Sequence, residues 1–150
     1  MRSIYFLIMD IPKSFLIILI IISCTAKHPV PDDDFLKDFI IGNYVLIGKA
    51  INSDDTYHGK VQIYKDKSNI KIKRLIDQKE IIGDAKLETT ADGDATVLRI
   101  NFIDNNERVN STCLIHSDLH NYPRITCYLY YPDFKTFDPG LETFFIVHTK

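Results

Sequence analysis

The chain of 150 residues has no tryptophan, only two methionines and six glycines. It contains no Gly-rich phosphate loop, His-Glu-x-x-His, Gly-x-Ser-x-Gly or Cys-x-x-Cys. Those gaps remove the usual signatures of nucleotide hydrolysis, zinc proteolysis, serine-hydrolase chemistry and dithiol exchange, so the expectation is a protein that is not an enzyme, with no cofactor, no catalytic set and no metal. An excess of one charge is also lacking. Against 20 acidic residues stand 18 basic ones, a net charge of −2, which leaves no electrostatic footprint for nucleic acid. No internal repeat or low-complexity tract interrupts the chain. Nor does it hold the roughly 20 consecutive apolar residues that a helix needs to cross a bilayer. The apolar run from Phe15 to Ile22 is too short for that.

That run instead has the length of a signal-peptide core, and it ends in Ile21-Ile22-Ser23-Cys24: aliphatic, tolerated, small, then cysteine. The pattern resembles the lipobox of bacterial lipoproteins. The resemblance implies that residues 1–23 are a cleaved signal peptide, that the Cys24 sulfur receives a diacylglyceryl group, and that the new amino terminus takes a further acyl chain such as palmitate. At about 0.8 kcal/mol per buried methylene, two or three chains make membrane attachment nearly permanent. An ordinary secretory signal cut near Ala26, and a start at Met9 rather than Met1, are alternatives that the same residues leave open. Residues 24–34, with Pro29, Pro31 and three aspartates, read as a tether. Ten residues reach at most about 35 Å, which keeps the following domain near the membrane surface. By the sorting rule of enterobacterial lipoproteins, Thr25 after the cysteine implies the outer membrane, facing the periplasm.

Export agrees with the cysteines. One carries lipid, and Cys113 and Cys127 remain as a pair. Between them lies Ser117-Asp118-Leu119-His120-Asn121-Tyr122-Pro123, rich in turn formers and flanked by strand-like sequence. If the chain folds back about residue 120, opposed positions sum to 240 and Cys113 faces Cys127, within reach of a disulfide. An oxidising periplasm would favour that bond, and the bond would pin the register. The competing arrangement is zinc held by Cys113, His116, His120 and Cys127, which requires two strand partners to splay apart.

From residue 35 to residue 150 the chain is one domain with strand-like periodicity. Strands are expected near 43–51, 58–65, 69–77, 80–89, 95–104, 107–117, 123–131 and 141–148, separated by polar turn formers. Only residues 33–41 look helical, with Phe35, Leu36, Phe39 and Ile40 on one face. Eight strands joined by short hairpins predict an all-β fold, a single small antiparallel up-and-down barrel, because closure removes the exposed edges. Alternation places Ile70, Ile72, Arg74 and Ile76 inward with Ile81, Gly83, Ala85 and Leu87, and with Leu98, Ile100 and Phe102. An apolar interior is the reverse of an outer-membrane barrel. Gly42-Asn43-Tyr44 at the first strand is similar to the Gly-x-Trp opening of lipocalins and related calycins, with tyrosine in place of tryptophan. This resemblance implies a calycin-like barrel.

Two patches stand out as binding candidates. Six cations, among them Lys71, Lys73 and Arg74, fall on one hairpin, and the inward Arg74 needs an acidic partner or an anionic ligand. Aromatics gather toward the C-terminus, where Tyr128 and Tyr130 lie on the face opposite Cys127. Ser117, Asp118 and His120 sit in one turn, too close in sequence for a catalytic triad. Asp92-Gly93-Asp94 lacks the later oxygen ligands of a calcium loop and reads as a hairpin turn. The expected function is a membrane-anchored binding module for a small amphipathic ligand or an envelope protein. The alternative is a structural or assembly lipoprotein that works through protein partners.

Overall fold

The computed structural model of the protein describes residues 33–93 and 95–147. The lipobox, Cys24, the tether up to residue 32 and Asp94 lie outside these residues. One short helix, α1 (Asp33–Ile40), precedes eight strands: β1 (Gly42–Lys49), β2 (Thr56–Asp66), β3 (Asn69–Ile76), β4 (Lys79–Thr90), β5 (Ala95–Asp104), β6 (Glu107–Ser117), β7 (Pro123–Tyr130) and β8 (Gly140–Ile146). Each strand pairs antiparallel with its neighbours, and β1 pairs with β8 to close the barrel. All eight expected strands are present, with ends that differ by no more than two residues.

Turn chemistry fixes the hairpins. Asp77-Gln78 and Asn105-Asn106 form two-residue turns with both residues at positive φ (48° and 66°, 48° and 68°), the left-handed geometry that matches strand twist. Between β4 and β5, a 3-10 turn at Ala91–Gly93 makes the reversal. Strand alternation then divides the side chains. Leu46, Ile63, Ile72, Leu98, Ile100, Ile125 and Phe144 point inward and are at most 1% exposed. Outward positions on β3, β4 and β5 carry charge: Lys71 pairs with Asp84 at 2.5 Å, Lys73 with Glu80 at 3.1 Å, and Arg99 with Glu88 at 3.3 Å.

Cys113 and Cys127 occupy opposed positions of β6 and β7, and every pair in this ladder sums to 240. Their sulfurs are 2.12 Å apart and both residues are wholly buried, so the bridge lies inside the barrel wall. With the sulfurs joined to each other, the zinc arrangement loses two of its four ligands.

The two ends of the barrel differ. At one end α1 packs its apolar face downward: Ile40 is fully buried, Phe39 rests on the core, and the Tyr44 hydroxyl donates to the Ile40 carbonyl at 2.6 Å. Asp38 of α1 pairs with Lys65, beside the β2–β3 turn. Because β1 starts and β8 finishes at this end, both edges of the described chain lie here. The opposite end is formed by residues 50–55, Asp77-Gln78, Asn105-Asn106 and the long connection 131–139.

Candidate functional site

A cavity of about 290 Å3 lies at the end remote from α1. Its apolar wall comes from Ile51, Ile76, Phe102, Val109 and Leu129, and its polar lining from Tyr57, Arg74, Asp77, Asp104 and Glu107. That volume sits at the lower end of the range for small-molecule pockets. Beyond it the barrel interior is packed with aliphatic side chains and the rings of Tyr44 and Phe144.

Beneath the cavity the sequence places two opposite charges on inner faces, and Arg74 of this pair also lines it. Arg74 follows Ile70 and Ile72 on β3, and Glu142 stands between Gly140 and Phe144 on β8. Barrel closure brings these strands' inner faces together, and an Arg74 Nη2 donates to Glu142 Oε1. Both side chains are no more than 3% exposed. The Tyr57 hydroxyl donates to the same carboxylate oxygen at 2.7 Å. Burial, then the Glu142 charge, pushes the Tyr57 phenol well above its ordinary pKa. The guanidinium also lies over the Phe102 ring, 4.1 Å from its centroid. One donor remains. Arg74 Nε is buried and has no hydrogen-bond acceptor among the described residues.

Gly48 makes this arrangement possible. It stands between Tyr57 and Glu142 in the strand ladder, and a Cβ there would lie 2.6 Å from the Tyr57 ring. Without a side chain at 48, the phenol lies across β1 and reaches β8. Glu142 is also the cross-strand neighbour of Cys127, so the charge cluster and the disulfide occupy adjoining positions of one ladder.

The loops at this end of the barrel are tied by hydrogen bonds. Asn52, at φ 55°, accepts from the backbone N–H groups of Phe137 and Asp138 through Oδ1, both at 2.9 Å, and its own N–H donates to the Asp138 carbonyl at 2.8 Å. Lys49 adds an ion pair to Asp138 at 2.5 Å. Tyr131 stacks on Phe134 with centroids 4.3 Å apart. Partial burial, with Glu107 and Asp104 nearby, raises the Tyr131 pKa. Phe137, on the same connection, is 77% exposed and lines a separate surface depression with Asn52 and Asp138.

The candidates named from sequence thus fall in different places. Arg74 faces inward, whereas Lys71 and Lys73 occupy the outer face of the same strand, engaged with β4. Tyr128 is exposed and Tyr130 half-buried, both on the outer wall, while Phe144 is core and Tyr131 and Phe134 belong to the connection 131–139. In the β6–β7 turn, the Asp118 carboxylate accepts the backbone N–H groups of His120 at 2.8 Å and Tyr122 at 3.0 Å, which holds it below the usual carboxylate range. That carboxylate organises the turn. Among the described residues no group of three or more His, Cys, Asp or Glu is placed to hold a metal ion, and no helix is long and apolar enough to cross a membrane. Glu142 and Tyr57 were not singled out from sequence. The signal was a lone acid in an inward register position on β8, opposite in charge to the one inward base on β3.

A second feature lies outside. Over β6, β7, β8 and β1 the outward positions Leu114, Tyr128, Leu141, Phe145, Val45 and Ile47 are all 38–55% exposed. They alternate with Thr112, Thr126 and Thr143 in the ladders, and two cations border them: Arg124 opposite Phe145, its guanidinium 5.4 Å from that ring's centroid, and Lys49 opposite Leu141. The wall on the other side of the barrel holds the ion pairs of β3, β4 and β5. Comparison with protein-family models and with curated proteins finds no match to this chain.

Proposed function

We propose that the protein is a lipid-anchored, non-enzymatic binding module of a bacterial cell envelope, outer-membrane attached and periplasm-facing, whose barrel receives a small amphipathic ligand. The observation that carries this reading is the cavity with its apolar wall and polar lining, above a buried charge pair, at the end remote from α1. An anchor at Cys24 would join the domain at the α1 end. The cavity would then face away from the bilayer, toward ligands arriving from the periplasm. The lipobox pattern supports the anchor, and the disulfide-distance cysteines fit an oxidising compartment.

Mass spectrometry of the full-length product purified from membranes tests both parts. A mature species beginning at an acylated Cys24, with a small molecule retained under native conditions, is the expected result. Ile51→Trp, which fills the cavity from its rim, should lose that molecule while its thermal unfolding stays unchanged. An unprocessed chain would remove the anchor; retention of the same molecule by Ile51→Trp would remove the cavity from the mechanism.

The exposed apolar side chains of the outer wall support a second reading, assembly through protein partners. On this reading, cross-linking in intact membranes yields specific adducts that Ile47→Lys or Tyr128→Lys abolishes. Identical adduct patterns from wild type and both variants would exclude the wall.

A further inference from the structure

Resting on the reading of Cys24 as a lipid anchor, we infer that the part of the apolar outer wall nearest α1 lies against an anionic phospholipid bilayer, with acyl chains against Val45, Phe145 and Val147 and lipid phosphates on Lys60 and Arg124. The ladders set Arg124, Phe145, Val45, Lys60 and Leu75 side by side in one outward row across β7, β8, β1, β2 and β3. Phe145, Leu75 and Val45 are 38–43% exposed, and Val147, just past the end of β8, is 44% exposed. Val45, Leu75 and Val147 line a surface groove of about 320 Å3, with Lys60 and Lys73 beside them. Lys73 answers Glu80, whereas Lys60 is exposed with no acid paired to it among the described residues. Arg124, also exposed, lies over the Phe145 ring.

Charge selects this occupant. Although the chain has 20 acidic residues, none takes an outward position on β1, β7 or β8, where the one acid, Glu142, is buried. On β2 the only acid is Asp66, at its last position. Apolar side chains bordered by cations match acyl chains beneath phosphates, a surface on which each cation adds about fivefold in binding. A second copy set face to face would bring Lys60 and Arg124 against a surface with no acid to answer them. The anchor puts the bilayer within reach. The tether ends at α1, β1 begins directly after that helix, and about 35 Å of chain exceeds the roughly 26 Å length of an eight-residue strand. The barrel then leans on this face at its α1 end, and the cavity at the remote end stays clear of lipid.

The test places the full-length chain in nanodiscs of phosphatidylethanolamine and phosphatidylglycerol that carry a nitroxide on the acyl chains near the headgroup. NMR of isoleucine, leucine and valine methyls reads the contact. Val45, Leu75 and Val147 should broaden, while Ile103, 63% exposed on β5, should not. Lys60→Glu with Arg124→Glu should lower that broadening at least about fivefold, with spectra in nitroxide-free discs showing the barrel still folded. Undiminished broadening in this variant, or equal broadening at Ile103, overturns the inference. Broadening confined to Leu119, on the β6–β7 turn, overturns it too, because the barrel would then stand on its end. If the three methyl signals move when discs hold two copies instead of one, the face belongs to a second copy and the inference falls. The intact mass of the disc-bound chain reports the anchor separately: an unprocessed chain removes the lipid-anchor reading, and selective broadening of the three methyls would still support this face.

Discussion

Glu142→Gln is expected to destabilise the barrel by about 3–5 kcal/mol, because it leaves the Arg74 cation buried without a counter-charge. Few substitutions in the molecule have so little room to relax. Arg74 is 3% exposed, held between Phe102 and the carboxylate, and its outward path is blocked by the strand it belongs to. Against the 5–15 kcal/mol typical of a domain, that loss removes much of the margin. The paired replacement Arg74→Met with Glu142→Leu removes both charges together, and it should unfold within about 1–2 kcal/mol of wild type or above it. Urea titration followed by tyrosine fluorescence measures all three proteins. If Glu142→Gln cost less than about 1 kcal/mol, or the double variant were the worse of the two, the ion pair would not be what stabilises this end of the barrel.

The second large effect belongs to Cys113 and Cys127. Their sequence separation is 14, and a loop of that size, when cross-linked, restrains the unfolded chain by about 3 kcal/mol. Cys113→Ala with Cys127→Ala should therefore lower the urea midpoint by an amount equivalent to about 3 kcal/mol. Burial adds a kinetic expectation. Both cysteines are 0% exposed, so a reductant reaches the sulfurs only after the wall opens. Trapping of free thiols in wild type should keep pace with unfolding as urea is raised, and should be slow in its absence. Rapid reduction of the native protein would place the bridge on an accessible surface instead.

The barrel was legible in sequence because its signals are local. Alternation in Ile70, Ile72 and Arg74, or in Leu98, Ile100 and Phe102, needs no knowledge of other strands, and the turn about residue 120 sets the cysteine register from spacing alone. The charge pair beneath the cavity was less legible. Arg74 was seen to face inward, yet its partner lies 68 residues away on β8, and only closure of the barrel brings them together. The same holds for Tyr57, whose reach to Glu142 depends on the missing side chain at Gly48. Lys71 and Lys73 show the opposite case. A linear cluster of cations with Arg74 divides between two faces once it is pleated, and the two lysines meet Asp84 and Glu80 across the ladder.

The seam between β1 and β8 has a consequence for the order of events in assembly. Seven of the eight ladders join strands adjacent in sequence, none more than nine residues apart, so hairpins can pair as the chain emerges. The eighth joins Tyr44 to Ile146, almost the full length of the domain. Until the last strand arrives, β1 and β7 are bare edges beside an unfinished core, and Arg74 has no Glu142. Any chain that stops short of β8 would therefore expose two templates for strand pairing with other molecules, the condition that favours aggregation. Translocation before folding would delay all pairing until β8 is present, and the vulnerable interval would shrink to the time taken to close one long loop.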